Sequence, residues 1–426
     1  MADYFLWGYV PAGFHFTNIC LHALFAILVY LFAFRVLKNV AAAFVTAALF
    51  GIHPLNTEAV SYVAGRADPI YLIFFLASFI LFLRSAALID SDRIRYGALA
   101  LALVCYLLSI LSKEIGLILP LMLLLYVFAF YGSGAAGRKL YLLCLPFVLI
   151  AAAYGIARRT VLDFSGIAPG SWMVKVDLPH RLLTSCKAVC VYLQLLILPF
   201  GLHMERTIRV VRSAWEPSAI GALLAVVLAV AAIWRCRTYN RKLFFAGMWF
   251  FIGLLPVSNI VPINSFIAEH WLYMPAIGAF MAAGMGVAAV IGRPGRPYFN
   301  FRNAAVVSAL ALVLAFYGYL AFERNKDWKD GISFFKSALK YSPRNAKLHL
   351  NFGNAYYCEG DRKNAMKEYE KTLELRPNYA EAYANIGSLY LEEGNYARAR
   401  EYVEKALSIK PDFPNARNMK RVLDSR

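Results

Sequence analysis

Charged side chains are scarce in this 426-residue sequence, at 16%, against 60% hydrophobic residues and a mean hydropathy of +0.54. So little charge excludes a disordered chain, and so much apolar surface excludes a string of ordinary soluble domains. Cysteine is also sparse. Of seven, Cys20, Cys105, Cys144, Cys186 and Cys190 sit inside apolar runs, and no CxxC pair occurs. That pattern excludes a disulfide framework and a zinc ribbon and leaves small buried hydrophobes. No Asn-x-Ser/Thr sequon is present. The opening Met1-Ala2-Asp3-Tyr4 has no basic segment ahead of an apolar one, so no cleaved secretory leader is expected.

What charge there is divides unevenly. Residues 1 to 324 hold 25 Lys+Arg and 12 Asp+Glu, and residues 325 to 426 hold 19 and 14, so 13 of the 18 net positive charges fall in the apolar part. They come as short clusters: Arg35/Lys38, Arg93/Arg95, Arg138/Lys139, Arg235/Arg237/Arg241/Lys242 and Arg293/Arg296/Arg302. Basic clusters between hydrophobic runs mark loops on the cytoplasmic side facing anionic lipid, not a nucleic-acid surface. No nucleic-acid partner is expected.

A bilayer core of about 30 Å needs roughly 20 apolar residues per helix. Candidate spans are 14-37, 40-52, 69-84, 96-112, 115-131, 140-157, 182-199, 218-234, 243-257, 271-291 and 304-322. Keeping the basic clusters on one side requires an even number of crossings between Lys139 and Arg235, where three hydrophobic runs lie. Residues 182-199 are therefore expected to be an outer-surface or re-entrant helix, leaving ten spans and residues 158-217 outside. The tail after Arg324 also falls on the non-cytoplasmic side.

That tail repeats. Pro343, Pro377 and Pro411 are 34 residues apart, as are Gly353 and Gly387, Gly360 and Gly394, Ala365 and Ala399, and Leu339, Leu373 and Leu407. A 34-residue period is the tetratricopeptide signature of stacked antiparallel helix pairs. Helices are expected near 328-341, 343-358, 361-375, 377-392 and 395-409, with a short cap from Pro411. The fold class is thus all-α, a polytopic membrane helix bundle over 1-324 followed by a soluble solenoid of about two and a half repeats plus cap over 325-426.

Ionisable residues at membrane depth are functional candidates by default. His15, Asn18 and His22 share one face of the first span, where hydrogen bonding to neighbouring helices is the preferred explanation. Between two spans on the outward side run His53-Pro54-Leu55-Asn56-Thr57-Glu58 and Ala64-Gly65-Arg66-Ala67-Asp68-Pro69. Thr57 and Asp68 also read as helix caps, Asp68 with a proline after it. Ser112-Lys113-Glu114 sits where another span reaches that side, as boundary anchor or site. Asn259 to Asn264 precede Glu269-His270-Trp271-Leu272-Tyr273, in which Glu269 and Tyr273, four apart, share a helical face. An aromatic belt accounts for Trp271 and Tyr273 but not Glu269. Converging at one membrane rim, Arg66, Lys113 and His270 would be cations for a phosphate, and Glu58, Asp68, Glu114 and Glu269 the carboxylates on offer.

Gly13-Phe14-His15-Phe16-Thr17-Asn18 with Leu21-His22, the stretch from His53 to Asp68, Ser112-Lys113-Glu114, Ala268 to Pro275 and the terminal repeats together resemble the transmembrane and tetratricopeptide repeat-containing O-mannosyltransferases and their prokaryotic relatives. The resemblance implies a GT-C type glycosyltransferase that moves a mannose-like sugar from a polyprenyl-phosphate donor to Ser or Thr of a protein. The reaction would take place at the periplasmic or endoplasmic reticulum lumenal face. Under it Glu58, Asp68 and Glu269 are the catalytic candidates; His53, Arg66, Lys113, His270 and Tyr273 hold the donor phosphate; His15, Asn18, His22 and Glu114 lend polar support. No further cofactor is expected beyond the lipid-linked donor; a divalent metal is compatible with the chemistry, but no ligand spacing argues for one. Partners are membrane lipid, the polyprenyl-phosphate sugar and a protein acceptor held by the repeats.

Two departures stand out. Family members carry an additional leading helix and an acidic first outer loop, and this sequence opens downstream of both. His270 stands where an arginine is usual. The rival from the interaction class is a membrane-anchored tetratricopeptide scaffold without catalysis. A transporter would need two related membrane halves, which the sequence does not display.

Overall fold

The computed structural model describes residues 2-8, 10-87, 89, 93-161, 176-204, 206-263, 265-292 and 301-425. Asn264, Arg293 and Arg296, which entered the sequence reading, lie outside them. Helices dominate, and no β-strand forms among the described residues. The chain divides into two compact units, one of residues 1-202 and 207-324, the other of 203-206 and 325-426.

The first unit runs through α1 (Ala2–Trp7), α2 (Pro11–Leu37), α3 (Val40–Ile52), α4 (Thr57–Ser61), α5 (Ala67–Ser85), α6 (Tyr96–Ser112), α7 (Leu119–Phe130) and α8 (Ala135–Thr160). It continues with α9 (Leu178–Ile197), α10 (Pro217–Cys236), α11 (Arg241–Gly253), α12 (Ala276–Ile291) and α13 (Phe301–Lys326). Among the described residues, α2, α5, α8, α10 and α13 are long and apolar enough to cross a bilayer. A sixth crossing forms if α3 and the Pro54–Ser61 segment, bent by 50° at His53, count as one. Of the ten expected spans, the segments at 96-112, 115-131 and 271-291 become shorter apolar helices, and the 243-257 helix stops at Gly253. The 13 residues of α3 rise only about 20 Å, less than a hydrocarbon core. The segment expected as an outer-surface or re-entrant helix is α9, which carries His180, Arg181 and Lys187 and is not among the span-like helices.

An aromatic core holds this unit together. Phe32 packs on Trp249 and Phe79 at centroid distances of 4.9 and 5.1 Å, tying α2, α5 and α11. Small residues let α12 approach α3. A Cβ on Gly284 would lie 2.4 Å from the Ala42 carbonyl oxygen, so only glycine fits there. The most apolar stretch of α13 is only 6% buried, and the corresponding stretches of α8 and α10 17%. These are the faces that a bilayer would cover.

The second unit is a solenoid of α14 (Gly331–Tyr341), α15 (Ala346–Cys358), α16 (Arg362–Leu375), α17 (Ala380–Glu392), α18 (Tyr396–Ile409) and α19 (Pro414–Asp424). The 34-residue period has separate physical causes at its separate positions. Gly360 and Gly394 turn the chain at φ of 80° and 76°, where a side chain would be strained. Gly353 lets Tyr369 cross its helix, since a Cβ there would meet the ring at 2.5 Å. Asp330, Asn345, Asp361 and Asn395 start four of the helices by accepting backbone N–H bonds. The short cap expected from Pro411 is a full helix, α19, which buries Ala416 and Leu423.

Candidate functional site

Three chain segments meet at one end of the membrane helices, each shaped by a local break. The first is the bend after α3. His53 precedes Pro54, whose ring disfavours helical geometry in the residue before it, so the helix ends there with His53 extended. Asn18 of α2 then holds the following loop, its Nδ2 donating to the carbonyls of Val60 and Tyr62 at 2.9 and 3.3 Å. This fixes α4, which carries Glu58, and leads into α5, which carries Asp68. The expected caps do not form: Thr57 Oγ1 donates backward to the Pro54 carbonyl at 2.6 Å, and Asp68 lies inside the first turn of a helix that begins at Ala67.

The second segment is the end of α6, where Lys113 is extended before a 3₁₀ turn, Glu114–Ile118. The third is another 3₁₀ turn, Glu269–Leu272. Here the expected shared face of Glu269 and Tyr273 is overturned: at three residues per turn, positions four apart point about 120° away from each other. Tyr192 of α9 fixes this turn by donating from its hydroxyl to the Ala268 carbonyl at 3.1 Å and accepting the Ala268 N–H at 3.0 Å.

Two ion pairs result. His270 Nδ1 donates to Glu58 Oε1 at 2.7 Å, and the His270 backbone N–H donates to Oε2 at 3.3 Å. Lys113 Nζ donates to Asp68 Oδ1 at 2.5 Å and lies over the Tyr71 ring at 5.9 Å. The pairs sense each other. Burial alone would lower the His270 pKa, but the Glu58 hydrogen bond and charge, with Asp68 adding and Lys113 opposing, set it above the ordinary histidine value. Exposure is asymmetric in both. The carboxylates Glu58 and Asp68 are 5% and 7% exposed, whereas His270 and Lys113 are each 27% exposed. Buried acids thus stand behind half-open cations, an arrangement suited to receiving an anionic group from the open side.

A polar thread runs beneath this pair of pairs. His22 Nε2 donates to the Gly51 carbonyl at 3.1 Å, which leaves Nδ1 to accept the Tyr273 hydroxyl at 2.5 Å. Tyr273 is buried between Phe25 and Phe50 at 5.4 and 5.0 Å.

Other candidates turn elsewhere. Glu269, 2% exposed, faces Arg324 of α13 at 3.9 Å. Glu114 pairs with Arg158 of α8. His53 is enclosed, its Nε2 donating to the Leu196 carbonyl at 3.2 Å and its ring 4.6 Å from Tyr317. Arg66 donates from Nε to the Val63 carbonyl at 3.2 Å and lies over the Phe14 ring. His15 is half-buried on α2. Tyr71, Arg158, Tyr192 and Arg324 were missed in the sequence. An aromatic residue in an apolar run, or an arginine near a helix end such as Arg158 or Arg324, carries no sign of a partner tens of positions away. Among the described residues, no group of three or more His, Cys, Asp or Glu is placed to hold a metal ion.

Fold and site together define a helical membrane protein with a charge-paired rim and a tetratricopeptide solenoid. A family model, Tetratricopeptide repeat, matches residues 357-423. Over most of its length the chain is similar to protein O-mannosyl-transferases: one from Caenorhabditis elegans at 27% identity over 370 residues, covering 83% of this chain and 49% of that protein; one from Drosophila melanogaster at 26%, covering 85% and 46%; and one from Homo sapiens at 25%, covering 85% and 42%. The chain spans about half the length of the curated relatives it matches.

Proposed function

We propose that this protein is a multi-pass, GT-C type glycosyltransferase that moves a mannose-like sugar from a polyprenyl phosphate to a protein Ser or Thr hydroxyl on the non-cytoplasmic side. The observation that carries this reading is the pair of buried carboxylates backing two half-open cations at one end of the membrane helices. Lys113 and His270 would bind the donor phosphate and stabilise it as it leaves, since positioned cations act where charge develops. Glu58 and Asp68 would orient them, and one of these carboxylates would take the proton that the acceptor hydroxyl loses as its oxygen bonds to the sugar. The oxocarbenium-like transition state of glycosyl transfer would draw on nearby carboxylate charge. The names of the relatives support a mannosyl transfer, and the repeats support a polypeptide acceptor.

The test is transfer from a polyprenyl-phosphate mannose to an acceptor peptide by the full-length protein. Lys113→Met and His270→Ala are expected to lower turnover at least about 100-fold, the scale of losing one transition-state donor. Unchanged turnover in both would overturn the assignment. One observation favours a scaffold instead: Glu58, Asp68, Glu114 and Glu269 all face a cation, which leaves no carboxylate free of one among these four. Wild-type protein that binds acceptor but transfers no sugar would support that second reading.

A further inference from the structure

The far ends of the same helices hold a second feature. α3 runs from Val40 toward His53, α11 from Arg241 toward Gly253, and α12 from Ala276 toward Ile291, so the starts of α3 and α11 lie beside the finish of α12. There a cavity of about 530 Å³ opens, lined by Leu37, Asn39, Asn240, Lys242, Met285 and Ala289 among others. The volume lies within the ~300–1,000 Å³ range of ligand sites.

Its polar side chains present more donors than acceptors, the two amide oxygens each already holding one bond. Asn39 Oδ1 accepts the Ala42 N–H at 2.8 Å and Asn240 Oδ1 the Leu243 N–H at 3.1 Å, so each amide turns its oxygen toward its own helix start and keeps both Nδ2 hydrogens to donate. Lys242 Nζ is fixed by one bond to the Leu37 carbonyl at 2.5 Å, with two of its three N–H groups to spare. Residues 35-42 and 235-245 contain Arg35, Lys38, Arg235, Arg237, Arg241 and Lys242 and no acidic residue. The rest of the lining, including Met285 and Ala289, is apolar. Anion-seeking donors on one wall and hydrocarbon on the other, at the ends of membrane helices, match one chemistry. We propose that this cavity binds an anionic phospholipid, its phosphate against Lys242 and the two amides, its acyl chains along Met285 and Ala289.

The proposal is independent of the sugar-transfer reading, and its test uses the purified full chain in detergent. Phosphatidylglycerol or phosphatidylcholine is added, and retention is read by native mass spectrometry and thermal unfolding. Phosphatidylglycerol is expected to be retained and to raise the unfolding temperature, and phosphatidylcholine to do neither. Lys242→Gln should weaken phosphatidylglycerol retention about fivefold, the equivalent of about 1 kcal/mol for one basic residue at an anionic head group. Lys242→Arg should keep it. Ala289→Phe, at an exposed position, should obstruct the apolar side of the cavity and weaken retention while leaving the apo protein folded. Equal retention of the two lipids would overturn the proposal, as would undiminished retention in both Lys242→Gln and Ala289→Phe. So would inorganic phosphate reproducing the stabilisation by phosphatidylglycerol.

Discussion

Glu58→Gln separates the charge of the Glu58–His270 pair from its shape. Glu58 is 5% exposed and accepts two bonds from residue 270, at 2.7 and 3.3 Å, while His270 keeps 27% exposure and so is partly screened. Hydrogen bonds to charged groups are each worth about 1.5–3 kcal/mol, and breaking a fully buried pair costs about 3–5 kcal/mol. Glutamine still offers a carbonyl acceptor, so the loss should fall at the lower end, about 1.5–3 kcal/mol at low pH. The pH dependence carries the sharper test. The folded His270 pKa is raised above its ordinary 6.5, so the stability it contributes is fully present below pH 6.5 and is lost as pH rises through the folded value. The gap between wild type and Glu58→Gln should therefore be widest in acid and close as the solution becomes alkaline. Thermal unfolding followed by tryptophan fluorescence in detergent, from roughly pH 5 to beyond pH 8, measures this. A gap that is constant or widens with pH would refute the reasoning.

Other expectations follow from the same geometry. Lys113→Met strands the 7%-exposed Asp68 and should destabilise the protein by about 2–4 kcal/mol; adding Asp68→Asn should restore most of that stability in the same unfolding assay without restoring transfer. Gly284→Ala, whose Cβ would sit 2.4 Å from the Ala42 oxygen, should cost about 1–3 kcal/mol. Gly286→Ala, with nothing within 4 Å, should be neutral or mildly stabilising, which makes α12 its own control in parallel melts. In the solenoid, Asp330→Ala removes the 2.7 Å cap on the Ser333 N–H and should lower stability by about 1 kcal/mol, read by chemical unfolding of the full chain.

The solenoid was legible because its period is set by contacts that recur every 34 residues, turn glycines and crossing glycines alike. The membrane unit was legible in composition and less so in span count. Runs such as 40-52 and 243-257 are apolar enough to read as spans, but the chain leaves the helix at His53-Pro54 and at Gly253, and length decides what crosses. Scarcity of charge made Glu58, Asp68, Lys113 and His270 visible as candidates, and the structure brings these four together. Their pairing was not visible: His22 meets Tyr273 across 251 positions, and nothing local distinguishes Glu269, turned to Arg324, from its neighbour His270. A 3₁₀ turn in place of an α-helical one was enough to separate Glu269 from Tyr273.

Because Lys113 and His270 are each matched by an acid directly behind, this pair of pairs carries almost no monopole of its own. Its field is that of two short dipoles, strong at contact and fading quickly with distance. A ligand would gain little long-range guidance from this patch, and its rate of arrival there should vary only weakly with ionic strength. The same cancellation eases departure, since an anion backing out of such a patch leaves no net charge behind to pull it in again.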